Sequence, residues 1–208
     1  TSLLGWHLQR LAAFGVGQAL INTAWLGGHI PAALGHHAHG VALRYSHEGD
    51  DFGHALETLG GIVRALPQLA DVFWVVAGDV YAPDFAFEPT ELAALQASPA
   101  LGKLWLVPNP AHHPKGDFAL TNDGRVFDPA PDDATPRHTF STIGLYKKAL
   151  FAPPLCDLPA GNPQGVAAPL GPFLRRAMGQ GLLLGQLYTG AWTDVGTPER
   201  LAALQTAV

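Results

Sequence analysis

The chain has 208 residues, of which 48% are hydrophobic and only 14% charged, a balance that excludes disorder and suffices for a core of ordinary size. A net charge of −5 argues against nonspecific binding to nucleic acid or to an anionic membrane, and the single cysteine, Cys156, excludes an internal disulfide framework. No apolar run approaches the roughly 20 residues of a membrane span and no signal-peptide pattern opens the chain, so a cytoplasmic protein is expected.

The chain begins at Thr1 and goes directly into a helical pattern (Leu3, Leu4, Leu8, Leu11, Ala12) that Gly15 ends, so further residues upstream are expected. A strand is predicted over 16–22, a helix over 26–34 with Pro31 near its start, a strand over 41–45, and a helix over 54–66 closed by Pro67. Residues 72–77 (Val-Phe-Trp-Val-Val-Ala) are apolar on both faces and rich in β-branched and aromatic types, the pattern of a buried central strand. A helix at 91–96 and a strand at 104–107 follow. Alternation of this kind implies an α/β fold, a mostly parallel sheet with helices on both faces. The second half is less regular, with short strands predicted at 118–120, 125–127 and 139–146 and Pro-rich loops at 128–137 and 152–165. A helix over 170–178, a strand over 186–194, and a last helix capped by Thr197 with Pro198 at its first position complete the chain. No repeat or clean linker divides it. One domain over 1–208 with a small β-rich extension is expected, with one part in 1–108 and a C-terminal part in 109–208.

Four segments could carry chemistry. Asp79 follows the buried strand in Ala77-Gly78-Asp79-Val80, where α/β sheets bind ligands, so it either holds a cation or caps the turn. Asp194, in Trp192-Thr193-Asp194-Val195-Gly196-Thr197, is the same pattern at a second strand end, and two such carboxylates suit Mg²⁺, a hard ion taking oxygen ligands. Glu57-Thr58-Leu59-Gly60-Gly61 opens a helical run with a glycine pair, which allows close backbone approach to a ligand or serves a loop with unusual dihedrals. Lys115-Gly116-Asp117-Phe118 suits recognition of sugar hydroxyls or forms a surface hairpin. His112 and His113, like His36, His37 and His39, lack metal-site spacing and read as solvated loop histidines. No Gly-x-Ser-x-Gly motif occurs and Cys156 has no evident base, so a covalent nucleophile is not expected.

The ordered series of segments resembles the bacterial sugar-1-phosphate nucleotidyltransferases. It comprises Asn22-Thr23-Ala24-Trp25-Leu26-Gly27, Glu57 to Ile62, Gly78-Asp79-Val80, Asn109 to Phe118, Phe140-Ser141-Thr142-Ile143-Gly144, and Trp192 to Thr197 with Pro198-Glu199-Arg200-Leu201. Within that class the Trp-Leu-Gly and Pro-x-His-His-Pro-x-Gly-Asp-Phe segments are most similar to the N-acetylmuramate-1-phosphate uridylyltransferases of peptidoglycan recycling. The resemblance implies a Rossmann-like fold with a small sugar-binding β extension, and Mg²⁺-dependent uridylyl transfer from UTP to N-acetylmuramate 1-phosphate. It assigns nucleotide binding to 1–108 and sugar binding to 109–208. It also implies metal-binding roles for Asp79 and Asp194, and nucleotide and sugar contacts from Asn22, Glu57, Thr58, Gly60 and Gly61. Gly116, Asp117, Ser141 and Thr142 would line the sugar pocket. The partners are then a nucleoside triphosphate and a sugar 1-phosphate, with no nucleic acid and no membrane.

Two departures stand out. The family opens with a strand and a Gly-x-Gly-x-Arg loop that cradles the triphosphate; about 30 residues of strand, loop and linker would precede Thr1. Many relatives also carry a lysine ahead of the late helix, whereas Gly165-Val166-Ala167-Ala168-Pro169 has none. A mannose-1-phosphate guanylyltransferase-like enzyme and a non-catalytic nucleotide-sugar-binding module are the alternative readings.

Overall fold

The computed structural model describes residues 2–207. In chain order its elements are α1 (Leu3–Ala13), β1 (Gln18–Thr23), α2 (His29–Leu34), β2 (His37–Ala38), β3 (Val41–His47), α3 (Glu48–Phe52), α4 (Glu57–Ala65), β4 (Val72–Val76), β5 (Val80–Tyr81), α5 (Pro89–Ala97), β6 (Gly102–Val107), β7 (Ala119–Leu120), β8 (Val126–Phe127), β9 (Thr139–Lys147), α6 (Leu170–Gly179), β10 (Leu183–Leu187), β11 (Thr193–Asp194) and α7 (Pro198–Ala207). The Ser2 hydroxyl caps α1 by accepting from the Gly5 N–H at 3.1 Å. Pro89 and Pro198 each stand first in their helix, where a missing N–H costs nothing.

The strands form two larger sheets. One has the order β1-β3-β2 with β1 and β3 parallel; the other has the order β10-β6-β9-β4 with β6 and β10 parallel. β9 runs antiparallel to both β6 and β4. The connection from β6 to β9 holds the β7–β8 hairpin and no helix, and a parallel return would need a long, usually helical, crossover. Side chains alternate along β6. Leu104 and Leu106 join Leu59, Ile62, Phe173 and Ala177 of α4 and α6 on one face, while Trp105 joins Phe85, Phe87 and Leu95 on the other. Helices and loops therefore cover both faces of that sheet, as expected of an α/β fold, but only its β6–β10 pairing is parallel, so the sheet is mixed and not the mostly parallel one expected.

Several boundaries differ from the sequence reading. The predicted strand 186–194 is two strands, β10 and β11, because the chain leaves β6 after Leu187 and pairs next with β5. The helix expected from 54 begins at Glu57, whose φ of +56° prevents earlier helical continuation. The short helix α3 was not foreseen: its five residues, Glu-Gly-Asp-Asp-Phe, carry no apolar periodicity.

Candidate active site

The two-stranded ladder β5–β11 unites the two aspartates. Asp194 pairs with Val80 and Thr193 with Tyr81, and the Val195 N–H donates to the Asp79 carbonyl at 2.7 Å. The carboxylates converge on Gly196: a Cβ placed there would lie 3.6 Å from Asp79 Oδ2 and 4.0 Å from Asp194 Oδ1. Two cationic or polar groups join them. The Arg200 guanidinium ion-pairs with Asp194, and its other terminal nitrogen would be 3.3 Å from that same Cβ position. His112 Nε2 lies 2.6 Å from Asp194 Oδ2. Asp79 is exposed, so the cluster faces solvent at the end of β4, as expected of a ligand-binding edge.

This overturns the reading of His112 and His113 as merely solvated. Each takes a carboxylate, His112 that of Asp194 and His113 that of Asp117, at 3.1 Å. Arg200 was likewise not identified as a site residue. Its pairing depends on how α7 returns past β11, which local pattern does not encode.

The second group surrounds the start of α4. Asn22, near the end of β1, is exposed, as are Glu57 and Thr58. Gly60 and Gly61 are buried against the protein itself, and this corrects the expectation that they approach a ligand. A Cβ on Gly60 would meet the Val166 carbonyl oxygen at 2.5 Å, and one on Gly61 would meet Asn22 Nδ2 and, at 2.6 Å, Glu48 Oε1. The Leu59 and Gly60 amides donate to the Ala168 carbonyl at 3.0 and 3.2 Å, so these N-terminal donors of α4 are not free for an anion. The stretch without the family lysine thus caps α4. Asn162, fully buried, secures it by donating to the Gly60 and Val166 carbonyls and accepting from the Val166 N–H.

Glu48, missed by the sequence reading, is 4% exposed; its Oε2 accepts from the Leu56 N–H at 2.8 Å and its Oε1 has no hydrogen-bond partner. Burial pushes its carboxyl above the usual range, against the opposing effects of the Leu56 amide, Arg64 and His54. His7, on α1, is buried beside the Ala77–Val80 turn, and burial lowers its pKa.

The third group lies at the entry to β9. Asp117 accepts from the Phe140 N–H at 2.8 Å and faces His113, so its carboxylate is largely committed to the fold. Gly116 has φ +63°, and a Cβ there would meet Asn109 Oδ1 at 2.7 Å. Ser141 is fully buried; its hydroxyl donates to the Trp105 carbonyl at 2.7 Å and accepts from the Ile143 N–H. Its side chain therefore bridges strands and does not line a pocket, a second correction. Thr142, partly buried with φ +62°, lies where the register of β9 against β6 shifts. The Ser141 carbonyl accepts from Trp192 Nε1 at 3.1 Å and so ties β9 to the strand that carries Asp194.

A separate pocket of about 220 Å³ is lined by Leu59, Cys156, Pro172, Phe173 and Arg176 among others. It contains neither aspartate, and its mainly apolar walls do not suit a polyanion.

No helix among the described residues is long and apolar enough to cross a membrane. No group of three or more His, Cys, Asp or Glu arranged for a metal occurs among the described residues either. A Mg²⁺ ion asks for less, commonly one or two carboxylates with the rest of its shell from water and substrate phosphates, and the hard oxygens of Asp79 and Asp194 match that demand.

Comparison with solved structures places the fold. A Bacillus anthracis protein described as a glucose-1-phosphate thymidylyltransferase, solved with sucrose, superposes with a TM-score of 0.76 over 99% of this chain and 81% of its own, at 16% identity. HddC from Yersinia pseudotuberculosis complexed with GMP-PN gives 0.71 over 99% and 85%, at 15% identity. The inositol-1-phosphate CTP transferase of T. maritima gives 0.62 over 95% and 78%, also at 15%. At such identities the likeness establishes the fold alone, that of the nucleotide-diphospho-sugar transferases. No family model matches the chain. The N-acetylmuramate α-1-phosphate uridylyltransferase of Neisseria meningitidis serogroup B is 42% identical over 211 residues, spanning 98% of this chain and 83% of the relative. The chain belongs to the N-acetylmuramate-1-phosphate uridylyltransferase family.

Proposed function

We propose that the protein transfers a uridylyl group from UTP to N-acetylmuramate 1-phosphate, giving UDP-N-acetylmuramate and pyrophosphate, and that it does so in the cytoplasm. The observation that carries this reading is the convergence of Asp79 and Asp194 on Gly196 in a chain 42% identical to a uridylyltransferase of that specificity. A phosphate oxygen of the sugar attacks the α-phosphorus of UTP in line, and the bond to the β-phosphate oxygen breaks to release pyrophosphate. No protein nucleophile is needed; the protein's work is to position two polyanions and offset their charge. Asp79 and Asp194 are the residues that would hold Mg²⁺, and the ion, when bound, supplies charge neutralisation at the phosphates. Arg200, held by Asp194, adds a fixed cation at the same place. Glu57, Thr58 and Asn22 present polar groups to the nucleotide, while the Gly116 turn and Thr142 border the sugar side.

The test is pyrophosphate release by full-length protein across a panel of nucleoside triphosphates and sugar 1-phosphates, with and without Mg²⁺. UTP with N-acetylmuramate 1-phosphate should turn over fastest. A preference for GTP with mannose 1-phosphate would replace this reading by a guanylyltransferase, and nucleotide binding without turnover of any pair would make the protein a binding module.

A further inference from the structure

The turn that presents Glu57 and Thr58 is held from behind by a buried acid. Glu48 is the first residue of α3, and one of its oxygens receives the N–H of Leu56, a fully buried residue immediately ahead of Glu57. Glu57 has φ +56°, a conformation an L-residue adopts only when its surroundings impose it. The Leu56 hydrogen bond is one such constraint. The backbone of Ala168 is the other, accepting from Leu59 and Gly60 and donating to the Leu56 carbonyl at 3.0 Å.

The second oxygen of Glu48 is buried without a partner, and it faces the Cα of Gly61 together with the side-chain amide of Asn22. A residue whose task was only to fill this space would be apolar, because a buried carboxylate with an unused oxygen is costly. The acid is also fastened from outside. Arg64 of α4 donates to the Ser46 hydroxyl at 2.8 Å, pairs with Asp51, and lies 4.6 Å from the centre of the Phe52 ring, so its side chain ties α4 to α3.

We propose that Glu48 is the positioning residue of the nucleotide-binding turn, one oxygen setting the Leu56 amide and hence the left-handed Glu57, the other packed with the Asn22 side chain against the Cα of Gly61. It touches neither substrate. The proposal rests on the reading that Glu57, Thr58 and Asn22 meet the nucleotide, and it adds the group that decides where they stand.

The experiment measures UTP affinity by calorimetry with Mg²⁺ present, and KM and kcat for both substrates, in full-length wild type, Glu48→Ala, Glu48→Gln and Gly61→Ala. Glu48→Ala should weaken UTP binding and raise its KM by about tenfold while kcat and the KM for the sugar phosphate stay within about twofold. Glu48→Gln keeps an acceptor for Leu56 and should restore UTP affinity to within about twofold of wild type. Gly61→Ala displaces the same oxygen and the Asn22 amide without removing either, and should reproduce the loss even where Glu48→Ala folds poorly. Unchanged UTP affinity in Glu48→Ala and Gly61→Ala, an equal loss for both substrates, or failure of Gln to rescue overturns the proposal. Wild type that binds UTP without turnover sinks the function above but leaves the positioning role decided by the affinities; wild type that binds no UTP overturns both.

Discussion

Replacing Asp194 by Asn separates catalysis from stability, because the structure assigns the two very different costs. The substitution keeps the side chain's size and one oxygen acceptor but removes a negative charge. In the folded protein that charge faces Arg200 and His112, with side-chain exposures of 25% for Asp194, 33% for Arg200 and 41% for His112. Pairs so wet contribute about 0–1 kcal/mol, and a domain of this size loses about 2–4 °C per kcal/mol, so the melting temperature should fall by no more than a few degrees. At the reacting phosphates the same charge is one of two carboxylates over Gly196. Loss of one group that stabilises transition-state charge costs on the order of a hundredfold to a thousandfold in kcat, about 2.7–4 kcal/mol. Pyrophosphate release at saturating UTP, titrated with Mg²⁺, and thermal melting followed by circular dichroism measure the two quantities on one preparation. Near-normal turnover with an unaltered Mg²⁺ requirement would refute the assignment of Asp194. A large activity loss with a collapse in melting temperature would mean that the residue acts through the fold.

Gly116→Ala should lower the melting temperature by roughly 5–15 °C. The left-handed dihedral costs about 1–2 kcal/mol for alanine, and the new Cβ would displace Asn109, which bonds the Pro114 and Arg137 carbonyls and Thr139 at 2.9–3.2 Å. A shift under about 2 °C in a calorimetric scan would contradict that account. Buried His7 has a lowered pKa, so its contribution is present above its ordinary value of 6.5 and is lost as pH falls through the folded value. Wild type should therefore lose stability as pH falls below the ordinary value of 6.5, and His7→Gln should flatten that part of the curve; parallel curves would show that other groups drive the acid loss.

Much of the scaffold was legible in the sequence, because local pattern decides it. The run Val72 to Val76 is a strand, though an edge strand paired antiparallel with β9 and not the central one its apolar pattern suggested, and α6 buries Leu170, Phe173, Leu174, Ala177 and Met178 at helical spacing. Pro198 starts the last helix, and Asp79 stands at a strand end where a short-range reading places it. What the sequence by itself determined was thus element type, the order of the segments and the residues able to bear charge. Tertiary structure decided their partners. Asp79 and Asp194 meet because β11 turns back onto β5, and His112 reaches Asp194 because the loop after β6 folds over that ladder. Gly60 and Gly61 face protein atoms rather than ligand because the 166–168 segment and Glu48 occupy the space a Cβ would need. Each of these contacts joins residues far apart in the chain, and a periodicity read over a dozen residues holds no information about them. Hydrophobic pattern specifies which faces are buried; the pairing of buried polar groups follows only when the sheets have assembled.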